Sequence, residues 1–158
     1  MDHIHPDNPA LEYNHIADGI FIGNNQCCIM GLSEVLKREH ILADISLEEN
    51  RLDIPFGVDI YLWIPVVDEQ APTLDQLSFG AESIERLVLQ GKKVYIHCKN
   101  GHGRAPTFVA AYLIRKGSTP EEAIKFIASK RPSIHLHAPQ ENILKAYYES
   151  LHIGGKKQ

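Results

Sequence analysis

The run Val94-Tyr95-Ile96-His97-Cys98-Lys99-Asn100-Gly101-His102-Gly103-Arg104 limits what this chain can fold into more than any other stretch. Its first residues are β-branched and aromatic, as in a buried strand. Cys98 follows, then a loop with glycines at 101 and 103, and then Arg104, which opens a segment that is apolar almost all round from Phe108 to Ile114. Such a segment reads as a buried helix. A strand, a glycine-containing turn and a buried helix in succession need a sheet with a helix packed on it. They also place consecutive backbone N–H groups at a helix N-terminus, where an anion is bound.

The chemistry of that loop is specific. Lys99, Asn100, Gly101, His102 and Gly103 would surround a phosphate with amides, Arg104 would hold two of its oxygens with a planar fork, and Cys98 would attack the phosphorus in line. Donors and the helix dipole favour the thiolate. The pattern His97-Cys98-x-x-Gly101-x-x-Arg104 resembles the signature of the cysteine-dependent protein tyrosine phosphatase superfamily, in particular its small, atypical dual-specificity members. The resemblance implies hydrolysis of a phosphomonoester through a phosphocysteine, without a cofactor. It also implies a general acid on an upstream loop. Asp68, in Pro65-Val66-Val67-Asp68-Glu69, closes a strand thirty residues before Cys98 and is assigned that role, with Glu69 as the competing carboxylate. Gln140, at the start of the last helix, matches a glutamine that handles water in some small relatives; a plain helix-start polar residue is the alternative. His97 is expected to hold the cysteine loop by bonding nearby backbone.

One position departs from the family pattern. Ser or Thr usually follows the arginine, and this chain has Ala105. The lost hydroxyl supports the thiolate as it leaves the phosphoenzyme, so the second step is expected to be slow; Thr107 is a candidate replacement. Lys99 and His102 make the loop more basic than one phosphate requires. A phosphoinositide or other small phosphoester therefore rivals the phosphorylated protein as substrate, phosphotyrosine first and phosphoserine or phosphothreonine next. Two other readings stand beside catalysis on phosphoproteins: a catalytically weak module that captures phosphorylated partners, and a sulfurtransferase of the rhodanese type. The phosphate-sized spacing from Cys98 to Arg104 and the upstream acid disfavour the last.

The 158 residues suit one domain, and a net charge of −4 argues against nucleic acid as a partner. The sequence shows no apolar stretch of signal-peptide or membrane-spanning length, so a cytoplasmic monomer is expected. Three cysteines make no disulfide framework. Cys27 and Cys28 are expected to pack in the core, with trapping of oxidised Cys98 as the sharper alternative. The pairs His3/His5 and His135/His137 lack further ligands at metal-binding spacing, so no metal is assigned.

Along the chain, residues 1–14 read as an N-terminal extension, 15–151 as the catalytic domain and 152–158 as a flexible tail. Strands are predicted at Gly19–Gly23, His40–Ile45 and Val58–Val67, besides the one ending at His97. Helices are predicted through Met30–Leu36, from Thr73 to Gly91 with a Thr73/Gln76 capping box, from Arg104, from Thr119 with its Glu122 capping box, and through Ile143–Leu151. The order gives a single-domain three-layer α/β sandwich, a mostly parallel sheet of about four to five strands flanked by helices. Residues Ser46–Arg51 would reach the cleft from the side, either to touch substrate or as a connecting loop.

Overall fold

The computed structural model describes residues 10–154. Five strands, β1 (Tyr13–Ala17), β2 (Ile20–Gly23), β3 (Ile41–Glu48), β4 (Ile60–Val66) and β5 (Lys93–His97), form one sheet in the order β1-β2-β5-β3-β4. The β1–β2 pair is antiparallel and the others are parallel. Five helices accompany them: α1 (Glu34–Arg38), α2 (Leu74–Leu89), α3 (Arg104–Arg115), α4 (Pro120–Lys130) and α5 (Ala138–Gly154). This is the expected α/β sandwich. Both capping boxes form, Thr73 with Gln76 and Thr119 with Glu122, which fixes where α2 and α4 begin.

β5 is the central strand, and its alternation divides the molecule. Val94 and Ile96 join Ile22, Ala43 and Ile45 in the main core beneath α2, α3, α4 and α5. Tyr95 points to the opposite face, with Phe21, Ile41, Leu32, Leu36 and the thiols Cys27 and Cys28 in a smaller core. Both cysteines are fully enclosed, as expected of packing residues.

Three local expectations change. β1 starts at Tyr13, inside the segment read as an extension, because Tyr-Asn-His-Ile-Ala is too short and too polar to announce a strand. Its hairpin turn has positive φ at Asp18 and Gly19, which suits the twist of a two-residue connection. The helix expected from Met30 shrinks to α1: Asn25–Cys27 is a 3₁₀ turn and Met30 is 92% exposed, while the backbone N–H of Leu32 bonds the Phe56 carbonyl at 2.8 Å instead of a helical partner. At the other end α5 runs to Gly154, past the expected end of the domain at 151. His3, His5 and the final residues 155–158 lie outside the described residues.

Candidate active site

β5 delivers Cys98 to the floor of a pocket of about 80 Å³, where the residue is 3% exposed. The N–H of Gly101 donates to Cys98 Sγ at 3.2 Å. What orients the loop is the fate of its carbonyls. That of Lys99 accepts from the Asn25 N–H (3.2 Å), that of Asn100 from Arg131 Nη2 (2.9 Å), that of Gly101 from Arg131 Nε (2.9 Å), that of His102 from the His135 N–H (2.8 Å) and that of Gly103 from the Thr107 N–H (3.1 Å). Five successive carbonyls are engaged by the surrounding protein while the Gly101 N–H turns toward the sulfur, an arrangement suited to an anion nest. Gly101 has φ +72°, and a Cβ there would stand 2.6 Å from the Gly23 carbonyl oxygen, so the turn admits only glycine.

Arg131 was not legible as a site residue. It follows α4 directly and is fully buried, and its third nitrogen, Nη1, donates to Asn14 Oδ1 at 2.7 Å. The one signal was Arg131-Pro132 closing a helix, which many surface helices share.

Arg104 is 3% exposed at the start of α3. Its Nη1 donates to Glu49 Oε2 at 2.6 Å and to the Val66 carbonyl at 2.9 Å, which ties the guanidinium to the ends of β3 and β4. Nε is buried without a hydrogen-bond partner, 3.4 Å from Asp68 Oδ1 at a non-bonding angle, and is the edge available to a phosphoryl oxygen. Glu49 belongs to the segment expected to flank the cleft. It reaches the site as a clamp on Arg104, and Arg51 beside it donates to the Asn25 carbonyl at 2.8 Å.

Asp68 and Glu69 both line the pocket. The Asp68 carboxylate is 61% exposed and accepts the Glu69 N–H at 3.0 Å, while Glu69 itself sits at φ +63°, a left-handed turn that swings the loop over the cysteine. Gln140 is buried and bridges two loops. Its Oε1 accepts the His137 N–H at 2.9 Å and its Nε2 donates to the Gln70 carbonyl at 3.3 Å, just beyond the two acids. Lys99, Asn100, His102 and Gly103 complete the lining with His135 and His137. The rings of His102 and His135 lie 5.3 Å apart and those of His135 and His137 5.6 Å apart, so two further imidazoles join Lys99 and His102 at the rim.

Behind the loop, His97 is fully buried with Nε2 2.7 Å from Asp53 Oδ2 and 3.2 Å from Asp44 Oδ1. The expected bond to nearby backbone is present, Nδ1 to the Cys98 carbonyl at 3.4 Å, and the two carboxylates are partners beyond it. Burial alone would depress the imidazole, but the charge of Cys27 and the bonds to Asp44 and Asp53 outweigh it and raise its pKa well above the ordinary value. Burial pushes Asp44 up to about 6. Ala105 is fully buried, and Thr107 does not stand in for a missing hydroxyl: its Oγ1 donates to the Gly103 carbonyl at 2.7 Å, one turn back in its own helix.

A buried cysteine, an anchored arginine and a carboxylate loop line one pocket, the arrangement of the cysteine-dependent tyrosine and dual-specificity phosphatase signature. Residues 25–118 match the model of the family described as polymorphic toxin system, DSP-PTPase phosphatase, and the chain belongs to that family. Among curated relatives, phosphatidylglycerophosphatase and protein-tyrosine phosphatase 1 of Homo sapiens is 41% identical over 81 residues, 51% of this chain and 40% of that protein. The tyrosine-protein phosphatase yvh1 of Schizosaccharomyces pombe is 25% identical over 152 residues, 94% of this chain and 45% of that protein. The chain spans under half the length of these relatives. Of solved structures, PTPMT1 in complex with PI(5)P superposes with a TM-score of 0.76 at 28% identity, covering 90% of this chain and 98% of that one. Human DUSP28 superposes with a TM-score of 0.81 at 22% identity, covering 89% and 99%, a likeness of fold. Among the described residues no helix is long and apolar enough to cross a membrane.

Proposed function

We propose that the chain hydrolyses a phosphomonoester carried on a polyanionic small molecule or lipid headgroup, through a phosphocysteine at Cys98. The engagement of all five loop carbonyls by other parts of the protein carries the catalytic part of this reading, since it fixes the peptide planes of the loop around Cys98, toward which the Gly101 N–H already points. The dianion enters the nest, and Arg104 takes one oxygen through Nε while Nη1 keeps its hold on Glu49 and Val66. Cys98 sulfur attacks phosphorus as the bond to the leaving oxygen breaks, and Asp68 gives that oxygen its proton. Asp68, now a carboxylate, takes a proton from water as the water attacks the phosphocysteine. Phosphate departs and the thiolate is restored. Gln140 lines the same pocket and holds the acid loop through the Gln70 carbonyl, which supports a role for it in orienting that water.

The substrate class rests on the rim. Lys99 and three imidazoles, those of His102, His135 and His137, surround the mouth together with Asp68 and Glu69, more hydrogen-bonding groups than one phosphate needs. The name of the human relative and the PI(5)P complex of PTPMT1 point the same way. A phosphotyrosine side chain is the second reading, favoured by the likeness to yvh1 along 94% of the chain. Ala105 leaves the sulfur without the usual hydroxyl during breakdown, so hydrolysis of the phosphocysteine limits turnover.

Parallel assays on one preparation test both parts. Turnover of p-nitrophenyl phosphate should vanish in Cys98→Ser, and persistence of that activity overturns the mechanism. At equal concentration, kcat/KM on a phosphoinositide or phosphatidylglycerophosphate should exceed that on phosphotyrosine peptides at least tenfold. The reverse order transfers the substrate assignment to proteins.

A further inference from the structure

The face of the sheet opposite the main core carries a second cluster of chemistry. Cys27, Cys28, Asp44, Asp53 and His97, all buried, place one donor atom each within 4.8 Å of one another. They come from four separate segments: the end of a 3₁₀ turn, the middle of β3, the loop before β4 and the end of β5. Adjacent residues in a strand point to opposite faces. Here the turn at Asn25–Cys27, followed by Cys28 at φ −144° and ψ 44°, brings both neighbouring thiols to one side. The surrounding walls are apolar, made by Phe21, Leu32, Leu36, Ile41 and Tyr95.

Two observations show that this set is not closed on itself. Asp53 Oδ1 is buried without a hydrogen-bond partner, an expensive condition for a carboxylate, and Asp44 Oδ1 has only the imidazole nitrogen that it shares with Asp53. Two carboxylates also share a single imidazole nitrogen, His97 Nε2, at 3.2 and 2.7 Å, while Cys28 Sγ donates to Asp44 Oδ2 at 3.3 Å. A divalent cation satisfies all of these groups together. Tetrahedral zinc holds thiolate, imidazole and carboxylate donors at about 2.0–2.3 Å, so its ligand atoms stand roughly 3.3–3.8 Å from each other. The donors of the cluster lie within 4.8 Å of one another, so binding would draw them in by about 1 Å at most.

We propose that Cys27, Cys28, His97 and Asp44 bind one zinc ion, with Asp53 as the carboxylate beside them. Thiolate sulfur selects zinc or a similarly soft ion over magnesium or calcium. Binding releases the two thiol protons and any proton on Nε2 to solvent, with no change of oxidation state. His97 Nδ1 then donates to the Cys98 carbonyl, the outer partner that fixes which imidazole nitrogen is free to ligate. Because His97 directly precedes the nucleophile, the ion anchors the rear of the phosphate loop without touching substrate.

The active-site thiol can itself take up zinc, so the test uses the full chain carrying Cys98→Ser. Of the three cysteines in the sequence, only Cys27 and Cys28 remain in it. Reduced protein is dialysed against cobalt(II) and against zinc(II), then freed of loose metal. One equivalent of zinc per chain, a thiolate-to-cobalt charge-transfer band, and a Tm rise of about 5–10 °C at free zinc some hundredfold above Kd are expected. Adding Cys27→Ser and Cys28→Ser should remove the band and at least tenfold of the affinity. Absence of the cobalt band, or zinc retained equally in the triple variant, overturns the proposal. The band needs no change at 27 or 28, so the test stands even where that variant fails to fold.

Discussion

Replacing Arg131 by Lys isolates the contribution of one buried guanidinium to the shape of the phosphate loop. Arg131 makes three side-chain hydrogen bonds, to the carbonyls of Gly101 and Asn100 at 2.9 Å each and to Asn14 Oδ1 at 2.7 Å. An ammonium has no fork: from one point it reaches one of the two adjacent carbonyls well, and the chain is shorter. Hydrogen bonds from a charged donor are typically worth about 1.5–3 kcal/mol each, and a buried carbonyl left unpaired costs a similar amount. Burying the guanidinium is itself unfavourable and draws its pKa down, which offsets part of the loss. A net destabilisation of about 2–4 kcal/mol follows, equivalent to a Tm lower by roughly 5–15 °C in a domain of this size. The freed carbonyl can rotate toward the pocket, where it faces the phosphoryl oxygens, so kcat/KM at a temperature where the variant is fully folded should fall about ten- to a hundredfold. Scanning calorimetry and p-nitrophenyl phosphate kinetics on Arg131→Lys measure the two effects. A Tm within 2 °C of the parent together with kcat/KM within about twofold would refute the argument that outward carbonyl anchoring orients the amides.

Three further outcomes are expected. Ala105→Ser restores a hydroxyl at the helix start, and a bond to the leaving thiolate should speed phosphocysteine breakdown roughly ten- to a hundredfold, converting a rapid-quench burst into a linear onset; an unchanged burst places the slow step elsewhere. Asp68→Asn should lower kcat/KM, which reports phosphocysteine formation, about a hundredfold or more on an alkyl phosphate and much less on p-nitrophenyl phosphate, whose leaving group needs little protonation, whereas Glu69→Gln should cost under about threefold on either; the opposite ranking assigns the acid to Glu69. Asp18 has its pKa lowered chiefly by the Tyr112 hydroxyl, which donates at 2.7 Å, and a depressed carboxyl contributes stability above its unfolded value of 3.8 that is lost as pH falls through the folded one. Tyr112→Phe should therefore lower stability at pH 7 by under about 1 kcal/mol, since Asp18 is partly solvated, and the difference should close under acid; a gap that persists at pH 2 would attribute it to packing.

The elements that the sequence announced are those whose signals are local. The Thr73/Gln76 and Thr119/Glu122 capping boxes lie within four residues and form as read. The strand-loop-helix of the phosphate site is likewise one continuous run, from Val94 through Arg104, and it appears intact. What escaped depends on distant partners. Arg131 is thirty residues from the carbonyl it holds, and Glu49 is fifty-five from the guanidinium it clamps. The backbone partner of His97, the Cys98 carbonyl, is its neighbour in sequence, whereas its carboxylate partners at 44 and 53 are brought to it only by the sheet. The helix expected from Met30 failed for the same reason. Its apolar spacing was sound, but the backbone there is tied to Phe56 and Cys27.

β5 explains why catalytic and buried chemistry lie so close together. Strand alternation sends Ile96 into the main core and His97 to the opposite face, and the chain then leaves the sheet at Cys98. The nucleophile thus inherits a position fixed from both faces: α3 begins six residues later in the main core, and the carboxylate-bound imidazole is locked in the other. Loosening either side moves Cys98 against the Gly101 amide that donates to its sulfur. Substitutions at Asp53 or Asp44, which touch no substrate, should accordingly lower kcat while leaving the KM for a small phosphoester nearly unchanged, because the rim of Lys99, His102, His135 and His137 is built from other segments.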